Sequence, residues 1–280
     1  MRRDRAEPHD RPNSIVHDSI VHAVVVVPAH DEVERIGLTL DSIERAAAHR
    51  EVRVSVSAIV VLDTCEDATD EVVRSHVEVG GPVEWHVVPA TVRRASSARQ
   101  AGLDELVGTM RRSVAPSRTA VLSTDADTVV PHDWIVRHVQ ALDSGLDGVA
   151  GIVDLTPDAG SDLGLDAWRS EYESSFRVDG THAHVHAANL CVRLDVLLAA
   201  GGFGHLRRAE DIDLWRRLTS IESVRLCSDQ SIVVRTSDRP DGRVEGGFAT
   251  ALARFRSTSG LMESTRSATP HVETERLVSE

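Results

Sequence analysis

The sequence predicts an α/β domain, a mixed and mostly parallel sheet flanked by helices. Three observations predict it. Apolar runs of strand length, such as "AVVVV" from Ala23 and "VRVSVSAIVVLD" ending at Asp63, alternate with segments whose apolar residues recur at helical spacing. The first run is nearly unbroken, as in a strand covered on both faces. Successive strands also end in polar residues: Pro28-Ala-His-Asp-Glu32, Asp63 and Ser123-Thr-Asp-Ala-Asp127.

Residues 1–20 are polar and read as a tail, and the echo "SIVHDSIVH" from Ser14 is too short for a structural repeat. The first strand runs from Ala23 to Pro28. Ile36, Leu40, Ile43 and Ala47 then share one helical face, and the strand ending at Asp63 completes a β-α-β unit. A helix from about Ala68 to Glu78, a strand from Val83, a helix around Ser97 to Leu106 and the strand "TAVLS" continue the pattern. The second half is less regular. It offers a strand from Gly148, an amphipathic helix in "DLGLDAWRSEYESSF", the extended "THAHVHAANLCVRL" and the short helix "DVLLAAGGF". "AEDIDLWRRL" opens a helix with acids in its first turn and arginines near its end, as the helix dipole prefers. The strand "IVVRT", a loop and a helix from about Phe248 to Phe255 follow, and residues 261–280 read as a second tail.

Composition removes several function classes. Hydrophobic residues make up 41% of the 280, enough for a globular core, and the formal net charge of −13 argues against broad attraction to nucleic acid or anionic lipid. The chain contains no lysine, which excludes a Schiff-base lysine and a Walker A lysine. Cys65, Cys191 and Cys227 are odd in number and form no C-x-x-C pair, so the expectation is reduced thiols in a cytoplasmic protein, with peripheral membrane attachment left open. No segment reaches the roughly 18 apolar residues of a membrane span.

In open α/β sheets, ligands bind outside the carboxyl ends of the strands, where this chain collects carboxylates. Asp125 and Asp127, at i and i+2 after a strand, suit one hard divalent cation that bridges to phosphates. A plain turn is the competing reading, since Asp is common where strands end. "VLSTDADTVV" also fits the hhhhDxDxT pattern of haloacid-dehalogenase-like phosphatases, in which Asp125 becomes a nucleophile and Asp127 an acid/base.

Taken in order, "VVVVPAHDEVERIGLTLDSI", "VVLDTCEDATDEV", "SSARQAGL", "VLSTDADTVVPHDWI", "HAANLCVRLDVLLAAGGF" and "AEDIDLWRRL" resemble the family-two glycosyltransferases of GT-A fold. The resemblance covers about Ala23 to Leu218. It implies a Rossmann-like single domain with a nucleotide-sugar (donor) half at 21–150 and an acceptor half at 151–260. Pro28, Asp31 and Glu32 would lie near the donor nucleoside and Asp63 at its base or ribose. Arg99, with Arg93 and Arg94, would face the donor phosphates. Asp125 and Asp127 become a D-x-D motif that holds Mg²⁺ or Mn²⁺, with Asp127 the direct ligand. Glu210 and Asp211 match the family's acidic pair, and Asp211 is expected to be the general base of an inverting transfer from a UDP- or GDP-sugar to an acceptor hydroxyl. Two departures from the family pattern stand out: Asp31 replaces the usual Asn, and Leu62-Asp63 replaces an Asp-Asp pair.

"HAHVH" puts His182, His184 and His186 on one side if extended, lining the acceptor pocket, standing as plain surface histidines or, less simply, binding a transition metal. His186 and Asn189 are the acceptor-side candidates. The late histidine that the family often offers the metal is missing, and Arg239 and Arg243 in a Gly-containing loop are candidates to close over a diphosphate. A non-catalytic, partner-binding member would share the fold. The lack of a Gly-rich N-terminal loop and of lysines argues against a sugar nucleotidyltransferase.

Overall fold

Val24, Val25, Val26 and Val27 of the first strand have no solvent exposure at all, and alternate residues serve two separate cores. Val25 and Val27 pack with Ile36, Leu40 and Ile43 on one face of the sheet; Val24 and Val26 pack with Ala98, Leu103 and Leu106 on the other. That double burial is why the run is valine-rich throughout. The structure, a computed structural model, describes residues 18–109, 114–156, 165–206 and 208–237. Most of both tails, the helix expected at 248–255, Arg239 and Arg243 lie outside the described residues.

β1 (His22–Ala29), β2 (Ser55–Asp63), β3 (Val83–Ala90) and β4 (Thr119–Ser123) are mutually parallel in the order β3-β2-β1-β4. Helices α1 (Ile36–Ala47), α2 (Thr69–Val79) and α3 (Ala95–Gly108) connect them close to the expected limits. Pro28 is tolerated in central β1 because pairing with β4 stops at Val26 and Ser123. The Thr124 N–H donates to the Val26 carbonyl at 3.3 Å, so Pro28 would aim its missing N–H where β4 has already left.

Beyond β4 the sheet continues as β7 (Leu190–Arg193), β6 (Gly148–Thr156), β8 (Leu226–Ser237) and β5 (Thr128–Val129). β7 runs antiparallel to β4 and β6, and β5 antiparallel to β8, which makes the sheet mixed. The strand read as "IVVRT" is longer than expected, with a register irregularity opposite Gly151 and Ile152. α4 (Trp134–Asp143), which buries Trp134, Ile135, His138 and Leu142, was not anticipated. α5 (Leu165–Glu173), α6 (Leu194–Ala199) and α7 (Glu210–Thr219) fall where the sequence places helices. Among the described residues, no helix is long and apolar enough to cross a membrane.

Candidate active site

The loops after β1 and β2 are tied together by carboxylates. Asp31, in a left-handed conformation with φ 49°, accepts the Glu66 N–H at 2.6 Å and the Asp67 N–H at 3.2 Å. Asp67 accepts the Val33 N–H at 3.1 Å, and the Thr69 hydroxyl accepts the N–H of buried Glu32 at 2.7 Å. Asp31, Glu32, Arg35 and Asp67 line a concavity of about 250 Å³ at this edge. Asp63, only 3% exposed, accepts the N–H groups of Val92 (2.8 Å), Arg93 (2.9 Å) and Arg94 (3.0 Å). Its carboxylate therefore shapes the loop that launches α3, a task invisible from strand-end position alone. Arg93 is exposed and lies 3.6 Å from Glu66.

Arg99 is the centre of the site. α3 approaches β1 and β2 so closely that a Cβ on Gly102 would meet Val26 Cγ1 at 2.7 Å and Val61 Cγ2 at 3.2 Å, so glycine is needed there. That approach carries Arg99, 2% exposed, beneath the end of β4. Its Nε donates to Ser123 Oγ at 3.0 Å, Nη2 to Asp125 Oδ1, and Nη1 to Glu210 Oε1 at 3.2 Å. The resemblance implies a place for Arg99 at the donor phosphates; in the structure its guanidinium is held between two carboxylates. A buried arginine tolerates desolvation only with such partners.

The D-x-D segment is a turn fixed from two sides. The Thr39 hydroxyl of α1 donates to the Ala126 carbonyl at 2.9 Å, and the Thr128 N–H to the Asp125 carbonyl at 3.2 Å. From β8, the Thr236 hydroxyl donates to Asp127 Oδ1 at 3.3 Å and accepts from Thr128 Oγ1 at 3.0 Å. Thr236 was missed in the sequence; its only signal there is a polar residue closing an apolar strand. Both aspartates are half-exposed at the carboxyl edge of β4.

Glu210 and Asp211 arrive on α7, whose approach is set by the loop before it. Gly202, with φ +74°, lies where a Cβ would meet Gln100 Oε1 at 2.3 Å, and that oxygen accepts the Phe203 N–H at 2.9 Å. Ser96 Oγ donates to the Leu206 carbonyl at 2.8 Å, and Arg217 Nη1 to the Gly202 carbonyl at 2.8 Å. The loop is thus pinned to α3 and α7 together, and the acidic pair is set beside Arg99. Burial raises the Glu210 pKa against the pull of Arg99. Burial also raises that of Asp211 against the pull of nearby backbone N–H groups and of Arg99, and its Oδ1 accepts the Ile212 N–H at 2.8 Å.

His182, His184 and His186 do share one side: neighbouring rings stack with centroids 6.1 and 5.9 Å apart, and His184 lies on Tyr172 at 3.8 Å. The Tyr172 hydroxyl accepts the Val153 N–H at 3.1 Å and is hydrogen-bonded to His186 Nε2 at 3.0 Å. Burial lowers the His186 pKa to about 3, which keeps the imidazole neutral. Among the described residues, no three His, Cys, Asp or Glu side chains gather to hold a metal ion, these histidines included. Asn189 is fully buried. It donates to the Ile152 and Ile232 carbonyls at 2.8 and 2.9 Å and accepts from Trp134 Nε1 at 2.9 Å, with His138 Nε2 at 3.2 Å. Its amide is engaged on every side by the core.

The sequence matches the family model described as Glycosyl transferase family 2 over residues 24–197, more than half of the chain. Among curated proteins, none matches. Among solved structures, the chain is similar to S. aureus TarS residues 1–349 in complex with UDP-GlcNAc, with a TM-score of 0.58 and 13% identity over 86% of this chain and 67% of that one. It is also similar to the mannosyltransferase PcManGT from Pyrobaculum calidifontis in complex with GDP-Man and Mn²⁺, with a TM-score of 0.57 and 17% identity over 89% and 76% of the two chains. At such identities these likenesses speak for the fold, and the mixed, helix-flanked sheet is that of a single GT-A-like domain. With the family match spanning the first strand, the D-x-D turn and the strand that follows, this chain belongs to glycosyl transferase family 2.

Proposed function

We propose that the protein moves a sugar from a nucleoside-diphosphate sugar to an acceptor hydroxyl, with inversion, using Asp211 as general base and a divalent cation at Asp125 and Asp127. One observation carries the proposal: Arg99 binds the first carboxylate of the D-x-D turn and the first of the acidic pair at once. Metal-side and base-side carboxylates thereby belong to one site. In this reading residues 21–150 form the donor half and residues 151–260 the acceptor half.

The residues fit the cation. Asp125 and Asp127 carry hard carboxylate oxygens one residue apart, the donor chemistry that would hold Mg²⁺ or Mn²⁺, and among the described residues no third acidic, His or Cys side chain gathers with them. Bound there, the cation would take up negative charge on the departing diphosphate. Asp127 is held in orientation by Thr236, and Asp125 by Arg99. Pro28, Asp31, Glu32 and Asp63 border the donor nucleoside. UDP-GlcNAc on TarS and GDP-Man with Mn²⁺ on PcManGT support a UDP- or GDP-sugar as donor.

On the other side, Asp211 takes the proton of the acceptor hydroxyl. The freed oxygen bonds to the anomeric carbon, and the bond to the diphosphate oxygen breaks, its electron pair leaving with the nucleoside diphosphate. The Ile212 N–H fixes the Asp211 carboxylate, and burial, which raises its pKa, makes it a stronger base than an exposed aspartate. Glu210, paired with Arg99, positions that guanidinium. Release of nucleoside diphosphate from a panel of nucleotide sugars with Mn²⁺ tests the reading; no release from any donor defeats it. The phosphatase alternative is not favoured by a family match that spans the same D-x-D turn.

A further inference from the structure

Asp211, Trp215 and Thr219 recur every fourth residue along α7, with Ile212 adjoining, so they share one face of the helix. Trp215 is half-buried, and Ile212 and Thr219 are exposed. A second rail runs alongside. Ala187, at one end of the segment 181–187, lies beside the Asp211 carboxylate. At the other end the His182 N–H donates to Ser228 Oγ at 3.0 Å, and that hydroxyl donates back to the His182 carbonyl at 2.7 Å. Between the rails lies a concavity of about 480 Å³, lined by Trp215 and Thr219 on one side, His182 and His184 on the other, with Ser228 and Arg177 among the remaining walls. At 1.5 Å per residue, Trp215 lies roughly 6 Å and Thr219 roughly 12 Å along the helix from Asp211.

We propose that this groove holds an oligosaccharide arm of the acceptor. The inference rests on the reading of Asp211 as the base and extends it: the sugar that presents the reacting hydroxyl sits at Asp211, and the rings behind it lie between Trp215 and the histidines. The lining matches that class of ligand. A sugar ring has apolar C–H faces that suit an indole, and equatorial hydroxyls that suit the neutral polar groups of Thr219, Ser228 and the imidazoles. Desolvation lowers the His182 pKa, in keeping with a neutral wall. An acidic ligand of comparable length would need several cations, and among the described lining residues Arg177 is the one arginine, offset by Asp179.

The test uses the full chain saturated with nucleoside diphosphate and Mn²⁺, titrated calorimetrically with cello-, chito-, malto- and manno-oligosaccharides of increasing length. In at least one series, affinity rises roughly tenfold from mono- to trisaccharide, and Trp215→Ala removes that gain. Thr219→Arg, at an exposed position that leaves helix packing alone, fills the groove and removes it as well. Both variants keep wild-type nucleotide binding, which also reports that they are folded. A flat response to length in every series, or unchanged saccharide binding in both variants, overturns the groove assignment. Failure of the wild type to bind any nucleotide would instead defeat the glycosyl-transfer reading, so the two failures are distinguishable.

Discussion

Arg99 of α3 donates to Glu210 of α7 over 3.2 Å, a contact between residues 111 positions apart that ties the start of α7 to α3. Removing the guanidinium leaves Glu210 and Asp125 facing each other without a cation. Arg99→Ala should therefore destabilise the fold by about 3 kcal/mol, toward the lower end for breaking a buried ion pair because Asp125 is partly solvated. Arg99→Lys should recover part of the stability and little activity, since one ammonium cannot reproduce three directed N–H bonds. Urea denaturation with nucleotide-release assays on both variants checks this.

Asp211→Asn separates chemistry from folding. Loss of the base should lower turnover by roughly 10²- to 10⁴-fold while donor binding persists. Stability should move the other way. Burial raises the folded-state pKa of Asp211, so the native state binds its proton more tightly than the unfolded chain does. That contribution is fully present below the ordinary aspartate value of 3.8 and is lost as pH rises through the folded value. Asp211→Asn, which carries no charge to bury, should therefore melt higher than wild type at pH 7, and the gain should vanish in acid. Thermal melts across pH decide the point.

Thr236→Val keeps side-chain shape and deletes the hydroxyl that steadies Asp127. One hydrogen bond of this kind is worth about 0.5–1.5 kcal/mol, so metal-dependent nucleotide affinity should fall roughly twofold to tenfold. Binding without metal should be the same for both proteins.

Asn189→Ala tests a core assignment against an acceptor-contacting one. The substitution orphans the Trp134 indole N–H and two buried carbonyls, so it should cost at least about 3 kcal/mol of stability. An unchanged urea midpoint with lost activity would return Asn189 to the acceptor side.

Half of the sheet was legible because burial on both faces leaves a local signature. Val24 to Val27 and the run to Leu62 are apolar at nearly every position, and their strands lie where that pattern puts them. β5 was not legible: two residues carry no periodicity, and Thr128 and Val129 are strand only because β8 pairs with them. The reversal of β7 is likewise set by pairing with β4 and β6, not by any residue within Leu190–Arg193. In the candidate site, residue types singled out Asp125, Asp127, Glu210 and Asp211. Partners across the fold decided the rest: Asp63 serves the backbone of residues 92–94, and Asn189 answers to residues 134, 138, 152 and 232.

The central claim is that Asp127 and a divalent cation bind the diphosphate of a nucleotide sugar beside Asp211. Calorimetric titration of UDP- and GDP-sugars into wild type, Asp127→Ala and Asp211→Asn, with Mn²⁺ and again with a chelator, tests it most directly. At least one donor should bind wild type and Asp211→Asn only when Mn²⁺ is present, and should not bind Asp127→Ala. Equal binding in chelator, equal binding to Asp127→Ala, or no binding of any donor with Mn²⁺ would contradict it.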